Sequence, residues 1–290
     1  MPVLYSYTAM IPSLPPSTGP IGVFDSGYGG LTILDKIRGL MPEYDYIYLG
    51  DSARCPYGPR SFEVVYEFTL QAVSKLFELG CPLVILACNT ASAKALRTIQ
   101  QINLPVIDAT RRVLGVIRPT AECIGEITRS RHVGILATAG TIKSESYLLE
   151  IHKLSPDIVV TGEACPMWVS LGENNEYQSD GADYIVKQHI NRLLDKDPMI
   201  DTIILGCTHY PLLLDKIRQF TPGHIRIIAQ GEYVARSLQD YLNRHPEMDA
   251  RCEKGGKCRF LTTESENKFE ESASIFLGRQ DIKVESIALE

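Results

Sequence analysis

Leu83-Val-Ile-Leu-Ala-Cys88-Asn-Thr-Ala91 and Thr202-Ile-Ile-Leu-Gly-Cys207-Thr-His209 are the two stretches whose reading decides the fold. Each is an unbroken apolar run that ends in a small residue and a cysteine, followed by amide or hydroxyl side chains. A short apolar run without polar alternation is the pattern of a strand buried on both faces, as in a parallel sheet. Helical spacing follows in both places, from about Ala91 to Ile102 and from Pro211 to Phe220. Each cysteine therefore falls where a strand ends and a helix is expected to begin.

The same alternation extends outward. Ile21-Gly-Val-Phe24 runs into Asp25-Ser-Gly-Tyr-Gly-Gly30 and then into a helical pattern from Leu31, so it reads as strand, glycine turn and helix. Tyr46 to Gly50 reads as a strand, Phe62 to Leu79 as a helix ended by Gly80, and Pro105-Val-Ile-Asp108 as a short strand. The pattern restarts with a strand at His132 to Ala137, a helix at Ser144 to His152 and a strand at Ile158 to Thr161. A helix over Ala182 to Leu194 and a strand at Ile225 to Ile228 follow, then a tail of helix (Tyr233 to Leu242), strand (Arg259 to Thr262) and helix (Glu266 to Leu277). Strands alternating with helices mean an α/β protein with mostly parallel sheets. Gly22-Val-Phe-Asp-Ser26 also matches Gly134-Ile-Leu-Ala-Thr138 in pattern. The expectation is two pseudo-symmetric lobes, each a mostly parallel sheet flanked by helices. The active site belongs in the cleft between them, because such sheets bind ligands beyond the carboxyl ends of their strands.

Composition narrows the function classes. The 290 residues carry a net charge of −6, which disfavours a nucleic-acid partner because phosphate contacts need concentrated Lys and Arg. No apolar run has the length of a membrane helix. The first 20 residues lack the basic start and apolar middle of a secretory signal, and Pro12 to Pro20 is proline-rich. Residues 1–20 read as a disordered extension. Eight sparse cysteines in a chain this size point to reduced thiols and a cytoplasmic setting rather than a disulfide scaffold. Cys252, Cys258 and His245 lack a zinc spacing. Gly27-Tyr-Gly-Gly30 lacks the full GxGxxG pattern, and no lysine is marked for a Schiff base, so no cofactor is expected.

Two thiols in matched positions suit a reaction that removes a proton from one face of a carbon and delivers one to the other. A helix start would favour the thiolate at Cys88 and Cys207. Asp25, at the end of the first strand, is the candidate to exchange a proton with Cys88, and His209 the candidate beside Cys207. Ser26, Asn89, Thr90 and Thr208 are candidates to bind the ammonium and carboxylate of an amino acid. Each of these polar residues also suits a plain capping role. A hydrolase using one nucleophilic thiol with His209 as base is one competing reading, and it leaves the second cysteine without a part; a non-catalytic amino-acid-binding protein with the same cleft is another.

Five motifs occur in order: Phe24-Asp-Ser-Gly-Tyr-Gly-Gly30, Cys55-Pro-Tyr-Gly-Pro-Arg60, Ala87-Cys-Asn-Thr-Ala91, Ala164-Cys-Pro166 and Gly206-Cys-Thr-His-Tyr-Pro211. Together they resemble the glutamate racemases of the aspartate/glutamate racemase superfamily, over most of Ile21 to Gly278. The resemblance implies cofactor-independent interconversion of L- and D-glutamate, with Cys88 and Cys207 as the acid/base pair, and supply of D-glutamate for peptidoglycan. It implies auxiliary roles for Asp25, His209 and Glu173. Asp25, Ser26, Tyr57, Gly58, Asn89, Thr90, Thr141 and Thr208 would line the substrate. It further implies a homodimer, and a C-terminal segment that returns to the first lobe. Lobe one is then 21–112 plus 226–290, and lobe two 113–225.

Overall fold

A computed structural model describes residues 18–278 and 282–289. Among the described residues, ten strands form two sheets, and every strand pair there is parallel. They are β1 (Ile21–Asp25), β2 (Tyr46–Gly50), β3 (Leu83–Leu86), β4 (Arg112–Gly115), β5 (His132–Ala137), β6 (Val159–Ala164), β7 (Thr202–Gly206), β8 (Arg226–Ile228), β9 (Cys258–Thr262) and β10 (Val284–Ser286). The first sheet has the order β10-β9-β2-β1-β3-β4 and the second β6-β5-β7-β8. The internal repeat is therefore real at the level of topology: β2-β1-β3-β4 and β6-β5-β7-β8 are the same arrangement. β3 and β7, the strands that lead to the two cysteines, hold the same place in it.

Every residue of β1, β2, β3 and β7 is buried, which is why these segments read as unbroken apolar runs. Successive side chains point to opposite faces. Val23 and Ile85 thus join one core with the helices Leu31–Leu40 and Gly231–Arg244, while Phe24 and Leu86 join another with the helix Phe62–Glu78. The second sheet repeats the plan. Ile203 and Leu205 pack under the helix Asp180–Lys196, and Ile135 and Ile204 under the helices Ile117–Ile127 and Ser146–Leu154. The helix starts are sequence-coded: Ser61 and Ser179 accept hydrogen bonds from Val64 and Ala182 amides. Gly80, at φ +92°, supplies the left-handed residue that ends the first of these helices.

Several expectations need correction. Pro105 to Asp108 is not a strand: Leu104–Ile107 is a helical turn with proline in its first turn, and Val106 is 85% exposed. The fourth strand is instead Arg112–Gly115, which crosses the boundary expected at 112/113. β8 pairs with β7, so Arg226–Ile228 belongs to the second sheet and not to the first lobe. The helix expected over Ser144 to His152 is Ser146–Leu154; it starts two residues later because Glu145, with a left-handed backbone at φ 56°, separates it from the turn of helix Ala139–Lys143. The helices Ile117–Ile127 and Met167–Glu173, and strand β10, were not anticipated. The expected disordered extension lies mostly outside the described residues. At its end, Gly19 bridges to Cys252, so pairing begins before Ile21. Among the described residues, no helix is long and apolar enough to cross a membrane.

Candidate active site

The carboxyl ends of β1, β3 and β7 meet: Asp25 closes β1, and Cys88 and Cys207 follow β3 and β7. Both sulfurs are enclosed: Cys88 is 5% and Cys207 6% exposed. Cys88 caps the helix Asn89–Lys94, and its Sγ accepts from the Ala91 amide at 3.4 Å. The Cys88 thiol also lies 3.4 Å from Ser26 Oγ. The helix start does not win, however. Burial pushes the Cys88 thiol up to about 12, the nearby Asp25 charge adds to the shift, and the bonds to Ser26 and Ala91 only moderate it. The enclosed site thus holds Cys88 as a neutral thiol, against the expectation that capping would favour the thiolate.

Cys207 does not have the same surroundings. No α-helix starts at it; His209 leads into a 3₁₀ turn, Tyr210–Leu213, with Pro211 near its start. In place of a helix amide, Cys207 has an imidazole: Sγ lies 3.9 Å from His209 Nδ1. His209 Nε2 meets Glu173 Oε1 at 3.1 Å. Burial opposes a charge on His209, but the bonds to Cys207 and Glu173 outweigh it and raise the imidazole to about 10. Burial likewise opposes charge on Glu173, yet the His209 and Cys55 contacts hold its carboxyl below the ordinary range. The pair is an imidazolium beside a carboxylate, packed edge-on against Phe276.

Asp25 is fully enclosed. Burial raises its carboxyl, and the positive His209 and the Gly30 and Gly27 amides pull the other way. The Gly27 amide donates to Oδ2 at 3.1 Å, and the Thr208 hydroxyl to Oδ1 at 3.4 Å. This last bond crosses from one lobe to the other. Gly29 allows the approach: a Cβ there would stand 2.6 Å from His209 Nδ1.

Thr90, Thr138 and Thr141 form a buried hydroxyl cluster across the lobes, at 3.0, 3.4 and 3.1 Å. Gly58 joins it through its carbonyl, which accepts from the Gly140 amide at 3.1 Å. Asn89 faces a different way. Its amide donates to Gln230 Oε1 at 2.8 Å, and its oxygen accepts from Tyr147 OH at 2.7 Å. Gln230 donates in turn to the Val116 carbonyl, so it ties together the two chain crossings between the lobes. Tyr57 is buried with its hydroxyl on Asp51.

The structure therefore gathers Asp25, Ser26, Cys88, Thr208, Cys207, His209 and Glu173 into one connected centre, with Thr90, Thr141 and Gly58 in the adjoining hydroxyl cluster. Asn89 and Tyr57 spend hydrogen bonds on protein partners. Thr138, Tyr147 and Gln230 were missed. Thr138 was legible as the counterpart of Ser26 in the repeat, whereas nothing local marks the other two. Cys55, in a motif noticed but given no role, touches Glu173. A cavity of about 760 Å³ lies elsewhere, lined by Arg97, Ile117, Arg118, Glu150 and Tyr241, and includes neither cysteine of the centre. No group of three or more His, Cys, Asp or Glu side chains among the described residues is arranged to hold a metal ion.

Two enclosed thiols thus stand at equivalent strand ends, one beside a carboxyl and the other beside an imidazole. Residues 32–238 match the family model for Asp/Glu/Hydantoin racemases. The chain is 38% identical to a glutamate racemase from Ruegeria sp. (strain TM1040), over 90% of this chain and 97% of that one. It is 39% identical to one from Listeria monocytogenes serotype 4b, over 93% and 98%. Among solved structures, a glutamate racemase isoform from Bacillus anthracis superposes with a TM-score of 0.84 at 35% identity, covering 93% of this chain and 98% of that one. One from Francisella tularensis in complex with D-glutamate gives 0.82 at 31%, covering 94% and 98%. The chain belongs to the Asp/Glu/Hydantoin racemase family and groups within it with the glutamate racemases. It is an isomerase of the amino-acid racemase kind.

Proposed function

We propose that this chain interconverts L- and D-glutamate without a cofactor, using Cys88 and Cys207 as acid/base groups on opposite faces of the α-carbon. The observation that carries the reading is the pair of thiols at the ends of β3 and β7, one beside Asp25 and the other beside His209–Glu173. In one direction Asp25 takes the Cys88 thiol proton, and the thiolate removes the α-proton. The pair left on the α-carbon is delocalised into the substrate carboxylate. Cys207 delivers its proton to the other face, and the His209 imidazolium stabilises the thiolate that remains. The reverse direction exchanges the roles. Ser26, Thr90, Thr141 and Thr208 supply hydroxyls for the charged ends of the substrate, with Gly58 beside the threonine cluster, while Tyr57 and Asn89 act from behind, held by Asp51 and by Gln230 and Tyr147. Because both thiols are enclosed, substrate entry requires the lobes to part, and closure then excludes water from the carbanion.

The same reading places the enzyme in the cytoplasm as a homodimer with no nucleic-acid or membrane partner. Its product would serve peptidoglycan synthesis. The lobes follow from sheet membership, with the crossings near Val116 and Gln230. The test is proton NMR of L-glutamate with purified protein in D2O and no added cofactor. Loss of the α-proton signal with growth of D-glutamate is the expected result. Folded, reduced protein that exchanges the α-proton of aspartate and not of glutamate would overturn the substrate assignment.

A further inference from the structure

The centre contains a third thiol that the two-base scheme does not use. Cys55 follows the short turn Ser52–Arg54 after β2, and its Sγ lies 2.9 Å from Glu173 Oε1. That is the same carboxylate oxygen that meets His209 Nε2 at 3.1 Å. One oxygen therefore takes two donors, from loops of the two different lobes. We propose that Cys55 is a positioning residue: its thiol donates to Glu173, keeps that carboxylate ionised, and so governs the grip of Glu173 on the imidazole beside Cys207. The catalytic consequence rests on the racemase reading above, whereas the ionic consequence does not.

The chemistry of the thiol supports a donor role. Burial and the facing Glu173 charge keep Cys55 protonated, with smaller contributions from Asp25 and Cys88. A protonated thiol has one hydrogen to give, and the charged oxygen is the acceptor within reach. The other charged or titratable groups that face Glu173 are Lys268 from the helix Glu266–Leu277, and Tyr28 and Asp25 from the β1 end. His209 in turn faces Cys207, Glu173 and Asp25. Cys55 is neutral, as Tyr28 is, whereas Lys268, Asp25 and His209 can carry charge, and Cys55 is the neutral group bonded to the carboxylate. It lowers the Glu173 carboxyl without adding a charge that would repel the imidazolium.

The sign follows from linkage. Glu173 is held below its ordinary range, so the ionised pair is present at neutral pH and is lost as pH falls through the folded value of Glu173. Removing a donor from an ionised carboxylate moves that value upward by about one pH unit. The test compares the full-length wild type with Cys55→Ala and Cys55→Ser. Carboxylate titration by 13C NMR on glutamate-labelled protein, with Glu173→Gln assigning the signal, reads the ionic effect directly. Glu173 should titrate about one unit higher in Cys55→Ala and near wild type in Cys55→Ser, whose hydroxyl keeps the donor. In turnover, the acid limb of kcat/KM should move by the same amount in Cys55→Ala alone, with kcat falling several-fold and KM little changed. Identical Glu173 titration in wild type and Cys55→Ala would overturn the proposal. So would a serine variant that behaves like the alanine one, since only packing would then be at stake. A wild type that does not racemise glutamate sinks the racemase reading and leaves the NMR arm to decide Cys55.

Discussion

The two strand ends that carry Cys88 and Cys207 share a backbone plan and differ in everything that touches the sulfur. Cys88 sits on a helix N-terminus beside a hydroxyl and an acid, Ser26 and Asp25. Cys207 sits before a 3₁₀ turn, beside an imidazole braced by Glu173. Repetition of the scaffold places two thiols at equivalent strand ends. Divergence of the loops gives one a carboxyl neighbour and the other an imidazolium. A centre with identical neighbours on both sides would bring two acids or two cations together in an enclosed space, where like charges repel strongly. The opposite signs of Asp25 and His209 let the two halves share one closed cleft.

This comparison can be broken most severely at the sulfurs. Cys88→Ser and Cys207→Ser should each lower racemisation by about 10²–10⁴-fold, measured as α-proton exchange, because a hydroxyl is a far weaker acid than a thiol. Full activity in either would mean that the two ends are not a catalytic pair. His209→Asn comes next, with a loss in kcat of about 10²-fold and a smaller change in KM. Its pH profile carries the sign. The folded imidazole titrates near 10 instead of 6.5, so the cation is present at neutral pH and lost as pH rises through about 10. The alkaline decline tied to that loss should vanish in His209→Asn, and its persistence would assign the limb to another group.

Gly29→Ala tests the seam between the ends. Its Cβ must displace Thr208 and His209, so calorimetry or denaturant melting should show a loss of about 1–3 kcal/mol together with reduced turnover. Tyr147→Phe is the mildest change. It removes the hydroxyl between Asn89 and Gln230, at a cost of about 1 kcal/mol in stability and a small effect on rate. A large rate loss there would make Asn89 more important than its protein partners indicate.

Much of this was legible along the chain. β1, β3, β5 and β7 announced themselves because strands buried on both faces must be apolar throughout, and the glycine and cysteine ends recur at like places. Asp25, Cys88, Cys207 and His209 were readable for the same reason: each lies within three residues of such a strand end. Pro105–Asp108 was misread because a short apolar segment beside a proline looks alike as an edge strand and as an exposed helical turn. Burial of the thiol itself, not the local helix start, sets the protonation of Cys88, and burial is a property of the assembled lobes. The meeting of Cys55, Glu173 and His209 joins three segments far apart in the chain, and no local pattern encodes it. What the sequence by itself determined was the pair of lobes and the strand ends that bear the thiols, because hydrophobic periodicity and chain-turning glycines act over a few residues. What only the tertiary structure decided was which charge faces each thiol, because that depends on how loops from two sheets close on one another and exclude water.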